Sequence, residues 1–278
     1  RNGRAEMTDF FALLFNKFSL LEIAHTLPSA VLLGGFFVMG ISAYHLLKKQ
    51  HIDFFTRSFK IALIFGLVAS FGVALTGDLH AVHVAEVQPA KLAAMEAHWE
   101  TQTSAPIVLF AIPDEENGRN RVELGSIPGI LSFLSHHDFN SVVKGLNDFP
   151  KDERPPVWIT FAGFRLMVLL GTLFILQMIY GWTRRNKLME SPKFLAMMLY
   201  SIPLPYLAIQ AGWVLAEVGR QPWIVYGLMR TSDAASPVMG YQVMISLLAF
   251  MLVYGLLGGV GFYLIGKHAR KGPVSENA

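Results

Sequence analysis

The sequence predicts an all-α membrane protein, a bundle of about five transmembrane helices with a long periplasmic loop that contains short helices. Three observations predict this fold class. The 278 residues are 53% hydrophobic and only 15% charged, whereas soluble domains carry about 25% charged residues. The charged residues lie mostly outside five long apolar segments. A polar stretch, residues 77–157, separates the second segment from the third.

Each apolar segment is long enough to cross a membrane, which takes about 20 mostly apolar residues in a helix. Arg165 lies inside the third segment, and Glu217 closes the fourth. Because an ionisable group is costly within a membrane, both residues are candidates for function. The five predicted spans are residues 20–47, 59–76, 158–182, 194–217 and 243–265.

The basic residues predict the orientation, because cytoplasmic loops near spans are enriched in Lys and Arg. The loops after spans one and three and the C-terminal tail are basic, whereas residues 77–157 hold twelve acidic and six basic residues. We therefore expect residues 77–157 and the N-terminus on the periplasmic side, and the C-terminus in the cytoplasm. The predicted divisions are residues 1–76 with two spans, the loop 77–157, and residues 158–278 with three spans and a tail.

The loop contains two local signals. Leu92, Met95 and Trp99 recur on one face of a short helix over residues 89–100, which begins with a proline and could lie on the membrane surface. Residues 113–120 are polar and rich in turn formers, which predicts an exposed turn. A connection of about 80 residues is longer than a passive link needs, and such loops are commonly functional.

Two spans carry residues that change helix shape or packing. Pro203 and Pro205 predict a kink or a local unwinding in the fourth span, where neighbouring groups must satisfy the freed carbonyls. Gly255 and Gly259 in the fifth span have the spacing that lets another helix approach closely. We expect a helix-packing contact there.

The chain contains no cysteine, so His, Met and carboxylates are the only candidate ligands for a cofactor. In the predicted topology His25, Arg165, Met167 and Glu217 share one leaflet. A His and a Met from two helices can ligate a low-spin haem iron, and an Arg beside them can pair with haem propionates. Taken singly, each has an ordinary role in packing or, for Glu217, in an ion pair with Arg220. Taken together, they predict a cofactor or quinone site or a transporter's polar pocket.

Lys91, Glu96 and Glu100 lie in the predicted loop helix and could form its solvated face. Lys91 and Glu96 are five residues apart, so on a helix they would contact different groups. For a quinol, a carboxylate can accept a proton while a Lys polarises an oxygen. The histidines other than His25 fall in loops or at predicted interfaces, where we expect most of them to be solvated.

Five sequence strings resemble those of a known family. They are KLAAMEAHWE at 91–100, FRLM at 164–167, IPLP at 202–205, QAGWVLAE at 210–217 and GRQPW at 219–223. Together they resemble subunit I of the cytochrome bd quinol oxidases, in its short outer-loop form, from about residue 7 to residue 270. This resemblance implies a terminal respiratory oxidase that reduces oxygen to water with electrons from quinol.

The resemblance implies three haem groups: a low-spin haem b (b558), a high-spin haem b (b595), and either haem d or a further haem b. His25 and Met167 resemble the axial ligands of the low-spin haem, with Arg165 beside it. Glu217 resembles the carboxylate ligand of the high-spin haem at the oxygen site. The residues that match neighbours of that haem are Trp213 and Arg220.

The resemblance also implies a quinol site in the loop, where quinol is the substrate. Lys91 and Glu96 resemble the quinol-binding pair, with Asp78 and Gln88 nearby. We expect Lys91, Glu96 and Glu217 to take part in catalysis.

The implied location is the bacterial inner membrane, and the implied partners are other membrane segments. They are subunit II, four N-terminal helices of subunit I in the same or a separate chain, a small accessory membrane subunit and membrane lipid. No nucleic-acid partner is expected. The N-terminal helices of the family carry a further haem ligand, so this chain alone does not complete an oxygen site. Two other functions stay open: a haem-b quinone-binding electron-transfer subunit, and a non-redox membrane transporter or scaffold.

Overall fold

The structure, a computed structural model, describes residues 7–273. It is a bundle with five segments that are long and apolar enough to cross a membrane, as the sequence predicts. Four are single helices, and the fourth segment along the chain is a pair of helices. The segments are α2 (Lys17–Leu47), α3 (Ile52–Val87), α6 (Val157–Arg184), the pair α7 (Pro192–Tyr200) and α8 (Leu204–Val218), and α9 (Gly240–Lys271).

Helices α2, α3, α6 and α7 pack side by side around the largest apolar core. The ring of Phe36 on α2 lies 4.8 Å from that of Phe174 on α6. A methyl group added at Gly35 of α2 would lie 3.3 Å from the Ala62 carbonyl oxygen on α3. Close backbone approach at small residues is a common way for helices to associate in lipid, where the hydrophobic effect does not drive association.

The fourth span is interrupted, as its prolines predict. Helix α7 ends at Tyr200, and α8 begins at Leu204 with a proline in its first turn. Gln177 on α6 donates a hydrogen bond of 3.0 Å to the Ser201 hydroxyl at the break. A neighbouring helix therefore supplies a polar contact where the helical hydrogen-bond ladder stops.

Residues 88–156 form a cap over one end of the bundle, which we call the loop side. Beyond the short helices expected there, the cap contains strands that the sequence analysis did not predict. Its elements are α4 (Pro89–Glu96), β1 (Gln102–Thr103), β2 (Ile107–Asp114), β3 (Arg119–Ile127), α5 (Ile130–His136), β4 (Val142–Val143) and the 3-10 turns Leu146–Asp148 and Lys151–Glu153. The other elements are α1 (Phe10–Leu14), the 3-10 turn Leu188–Glu190, β5 (Trp223–Val225) and β6 (Met229–Arg230).

Strands β2 and β3 form an antiparallel hairpin whose tip lies in the predicted turn. Asn117 and Arg121 hydrogen-bond the Asp114 carboxylate and lower its pKa to about 2. Glu115 accepts hydrogen bonds of 2.9 and 3.1 Å from the backbone nitrogens of Val157 and Trp158. The hairpin thus supplies the N-terminal cap that α6 lacks at Pro156.

Two expectations for the cap are wrong in detail. The predicted helix over 89–100 ends at Glu96 because Ala97 adopts a left-handed conformation with φ of 50°. That helix, α4, is almost wholly buried by the bundle and the cap, so Lys91 and Glu96 do not form a solvated face. A separate expectation, that most histidines other than His25 are solvated, also fails for His45, His83 and His98, which are buried.

Helix α9 stands apart from the rest of the bundle. None of the side chains in its apolar window is buried by the described part of the chain. His45 Nε2 donates a hydrogen bond of 2.7 Å to the Ala269 carbonyl oxygen near the end of α9. Within residues 7–273, nothing lies within 4 Å of a methyl group added at Gly255 or Gly259. The predicted helix contact at these glycines is therefore not made among the described residues.

Candidate functional site

Helix α4 holds Lys91 and Glu96 against two different membrane helices. Lys91 Nζ donates a hydrogen bond of 3.0 Å to the Ala216 carbonyl oxygen on α8. Glu96 Oε2 lies 2.6 Å from Arg165 Nη2 on α6. The five-residue spacing predicts this divergence, because residues five apart do not face each other on a helix.

Arg165 sits among several groups that suit a guanidinium. Its Nη2 also donates a hydrogen bond of 2.7 Å to the Val108 carbonyl oxygen. Its Cζ lies 4.9 Å and 5.4 Å from the ring centroids of Phe161 and Phe164, within the range of cation–π attraction. Burial raises the pKa of the Glu96 carboxyl, and the charge of Arg165 opposes that effect.

Lys91 lies in an electrostatic neighbourhood that includes the end of α8. The pKa of Lys91 is lowered to about 8, mainly by burial and in part by the positive charge of Arg220. The negative charges of Glu217 and Glu22 act in the opposite direction. The sequence analysis missed Glu22, although its place one helical turn before His25 is a signal that could have identified it.

His25 faces helix α3 from α2. Its Nδ1 lies 3.2 Å from the Thr76 hydroxyl oxygen. Its ring centroid is 6.4 Å from that of His80. A methyl group at Gly77 would lie 3.2 Å from His25 Cε1, so the absence of a side chain there gives the imidazole room.

Met167 belongs to the same region of the bundle. Its sulfur would lie 3.0 Å from a methyl group added at Gly212, so α8 leaves space for it. Met167 and Phe18 both pack against a core cluster on the loop side. The ring of Phe18 lies 5.1 Å from that of His80, which in turn neighbours His25. The two candidate ligands are therefore linked through intermediate residues, namely His80, Phe18 and the core cluster.

Glu217 and Trp213 lie on a face of α8 that the described chain leaves open. The side chain of Glu217 is 52% exposed and pairs with Arg220, which is the ordinary role that the sequence also allowed. Trp213 is 44% exposed. A carboxylate on such a face has room to bind a group beyond α8.

Asp78 and Gln88 bracket the end of α3. This helix continues past residue 76 to Val87, so Asp78 lies on a helix and not in the loop where the sequence placed it. Asp78 Oδ2 lies 3.0 Å from His137 Nε2, just past α5 of the cap. The sequence analysis did not single out His137. Gln88 is buried, and its Oε1 has no partner among the described residues.

Unpartnered buried polar atoms concentrate at these residues. In the part of the chain that the structure describes, such atoms occur in five side chains, and three of them are predicted site residues: Gln88, Arg165 and Arg220. Buried polar groups normally have hydrogen-bond partners. Free guanidinium donors on Arg165 and Arg220 fit a ligand that carries carboxylates, and haem propionates are such groups. Between residues 7 and 273 no three His, Asp or Glu side chains cluster to hold a bare metal ion.

The fold and the site define an integral membrane protein with a buried polar site at one end of its helical bundle. The chain belongs to the cytochrome bd terminal oxidase subunit I family, whose model matches residues 1–273. This membership agrees with the strings from which the sequence resemblance was drawn.

Individual relatives give the same result. Cytochrome bd ubiquinol oxidase subunit 1 of Bacillus subtilis (strain 168) is 40% identical over 290 residues, which cover 100% of this chain and 62% of that protein. A putative cytochrome bd menaquinol oxidase subunit I of the same organism is 36% identical over 285 residues, which cover 99% of this chain and 63% of that protein.

A solved structure is similar throughout the chain. The structure of bd oxidase from Geobacillus thermodenitrificans matches with a TM-score of 0.86 and 34% sequence identity, over 98% of this chain and 63% of that chain. The present chain therefore spans somewhat less than two thirds of the length of these relatives.

Proposed function

We propose that this chain is the haem-bearing part of a membrane quinol:oxygen oxidoreductase, a terminal respiratory oxidase of the bacterial inner membrane. One observation carries the proposal: α4 of the cap buries a carboxylate, Glu96, 2.6 Å from Arg165, two residues before Met167 on α6. The guanidinium of Arg165 thereby ties a buried proton acceptor of the cap to α6, the helix that also carries the candidate haem ligand Met167. In the proposed orientation the cap faces the periplasm.

The residues present fit the haem groups that the family implies. We assign His25 and Met167 to the low-spin haem b, with Arg165 Nε available to a propionate. Glu217 is assigned to the high-spin haem b, whose site also includes Trp213 and Arg220. When bound, the haems supply one-electron transfer and oxygen reduction, with either haem d or a further haem b as the third group.

The cap residues perform the acid–base part of quinol oxidation. A quinol that loses two electrons also releases two protons, so a base must lie beside its hydroxyl groups. Glu96 is that base, and its pairing with Arg165 favours the ionised form that can accept a proton. Lys91 polarises a quinol oxygen from the α8 side. Gln88 and Asp78 complete the site, and the quinol is either ubiquinol or menaquinol.

Further membrane segments complete the proposed enzyme. We propose subunit II, the N-terminal helices of subunit I in the same or a separate chain, and a small accessory membrane subunit as partners. A haem-b electron-transfer subunit that feeds another acceptor is the second candidate, because the quinol cap and the low-spin ligand pair would suffice for it. A non-redox transporter or scaffold would contain no haem, so a visible spectrum of the purified complex separates it from both.

Replacing Met167 with Leu tests the assignment of the low-spin haem. The change removes the sulfur with little change in volume, so we expect the low-spin signal to disappear from a reduced-minus-oxidised spectrum. Met178→Leu is the matched control, because Met178 lies on the same helix in the apolar core. An unchanged spectrum in Met167→Leu would refute the ligand.

A further inference from the structure

The side chain of Thr76 makes a contact that helix formation alone does not explain. Its hydroxyl donates a hydrogen bond of 2.8 Å to the Gly72 carbonyl oxygen, an arrangement that is common for threonine within a helix. The same oxygen lies 3.2 Å from His25 Nδ1 on the neighbouring helix. Thr76 therefore joins α3 to a candidate iron ligand on α2.

The hydrogen bonds of Thr76 indicate which ring nitrogen of His25 carries the proton. A threonine hydroxyl has one proton, and the bond to Gly72 uses it. The Thr76 oxygen can then only accept a hydrogen bond from His25, so the ring proton lies on Nδ1. Nε2 of a neutral imidazole consequently carries a free lone pair, which is the form that binds iron.

The residue after Thr76 restricts the same ring from a second direction. A methyl group at Gly77 would lie 3.2 Å from His25 Cε1, closer than most side chains tolerate. Thr76 holds the Nδ1 edge of the imidazole, and the backbone at Gly77 lies against its Cε1 corner. The two contacts fix how the ring is turned.

We infer that Thr76 is a positioning residue for the low-spin haem, acting through His25. It holds the imidazole with Nε2 free and, as an acceptor for Nδ1–H, raises the basicity of the ligand. The inference rests on the proposed function, since it requires His25 to bind iron. It adds a residue that none of the matching sequence strings contains.

The test compares two substitutions at Thr76 in the assembled oxidase, with the midpoint potential of the low-spin haem as the readout. Thr76→Val keeps the shape and removes the acceptor, whereas Thr76→Ser keeps the hydroxyl. A less basic His25 stabilises ferric iron less, so we expect the valine variant to shift the reduction equilibrium towards ferrous haem by up to tenfold, or 59 mV for one electron. The serine variant should stay near the unaltered protein.

Thr172→Val is the matched control and should leave the potential unchanged. Among the described residues, the Thr172 hydroxyl bonds only the Val168 carbonyl oxygen of its own helix. A valine variant with an unchanged potential would overturn the inference, as would equal shifts in Thr76→Val and Thr76→Ser. If the valine variant assembles without the low-spin haem, recovery of that haem in Thr76→Ser supports the inference, and its loss in both variants overturns it.

The variant His25→Ala separates this inference from the proposed function. Retention of the low-spin haem in His25→Ala would show that His25 is not its ligand, and would thereby also exclude the proposed role of Thr76. Loss of the haem in His25→Ala, together with an unshifted potential in Thr76→Val, would leave the ligand assignment intact and refute Thr76 alone.

Discussion

Replacing Glu96 with Gln should increase local opening of the cap, because the change removes the negative charge that pairs with Arg165. Glu96 is 4% exposed and Arg165 is 17% exposed at the side chain, so the pair is mostly withdrawn from water. Removing one partner of a buried pair costs about 3–5 kcal/mol. Arg165 keeps the Val108 carbonyl and two aromatic faces, so we expect a cost near the lower limit. A cost of about 3 kcal/mol corresponds to roughly a 100-fold increase in local opening of the cap.

Limited proteolysis of the assembled complex under native conditions measures that opening, because cleavage within the cap follows the population of the open form. Glu100→Gln is the matched control, since Glu100 is exposed and bonds Asn147. The double variant Glu96→Gln with Arg165→Met removes both partners and should recover much of the protection. Additive losses in the double variant, or equal cleavage of Glu96→Gln and the control, would refute the coupling.

The other predictions concern the proposed quinol site. Lys91 has a pKa of about 8, so quinol turnover should fall as the pH rises through 8, and Lys91→Arg should move that fall to higher pH. The unfolded chain keeps this lysine protonated to a pH of about 10.5, so the free energy of unfolding should rise between pH 8 and 10.5. His137→Ala frees the Asp78 carboxylate and should raise the KM for decylubiquinol several-fold, whereas His136→Ala, whose ring bonds Ser135, should not.

Controls decide both of these predictions. If quinol turnover falls at the same alkaline pH in Lys91→Arg as in the unaltered protein, Lys91 is not the origin of that fall. Lys144→Arg serves as the comparison because Lys144 is exposed. For the cap histidines, equal KM values in His137→Ala and His136→Ala would show that the hydrogen bond to Asp78 has no part in substrate binding.

The transmembrane fold could be predicted because a membrane span needs only a long apolar run without charges. The structure confirms five such spans, with helix ends that extend beyond the apolar runs. The extension of α3 to Val87 was not predictable from hydropathy, because Asp78 and three further polar residues interrupt the run. The hairpin of the cap was missed for a related reason: short apolar runs such as that of β2 do not distinguish a strand from a buried helix.

The sequence suggests which residues to consider for the candidate site, but it does not specify their contacts. The spacing of Lys91 and Glu96 indicated that they would contact different groups. Arg165 was a candidate because a charged side chain is energetically costly within a membrane span. These residues contact partners that are far away in the sequence, as Glu96 does with Arg165 and Asp78 with His137. Such contacts depend on how the cap packs against the bundle, and no local sequence pattern specifies that packing.

Helix α9 contributes little to this site. None of its apolar window is buried by the described chain, whereas the other four spans bury 22–50% of theirs. In lipid this exposure needs no protein partner, because acyl chains solvate apolar side chains as well as another helix would. The exposed surface of α9 is therefore weak support for a protein interface. The predicted helix contact at Gly255 and Gly259 stays a prediction, with its partner a helix outside this chain.

The unpartnered polar atoms of Gln88, Arg165 and Arg220 provide stronger support for a ligand. A buried donor or acceptor without a hydrogen bond costs about 1–3 kcal/mol, and lipid cannot supply the missing partner. The fold holds these groups in place while nearby residues that are more deeply buried, such as Lys91 and Glu96, find partners within the chain. A stable bundle with unsatisfied donors at its loop side therefore suits molecules that bring acceptors with them, and a haem carboxylate and a quinol oxygen both do so.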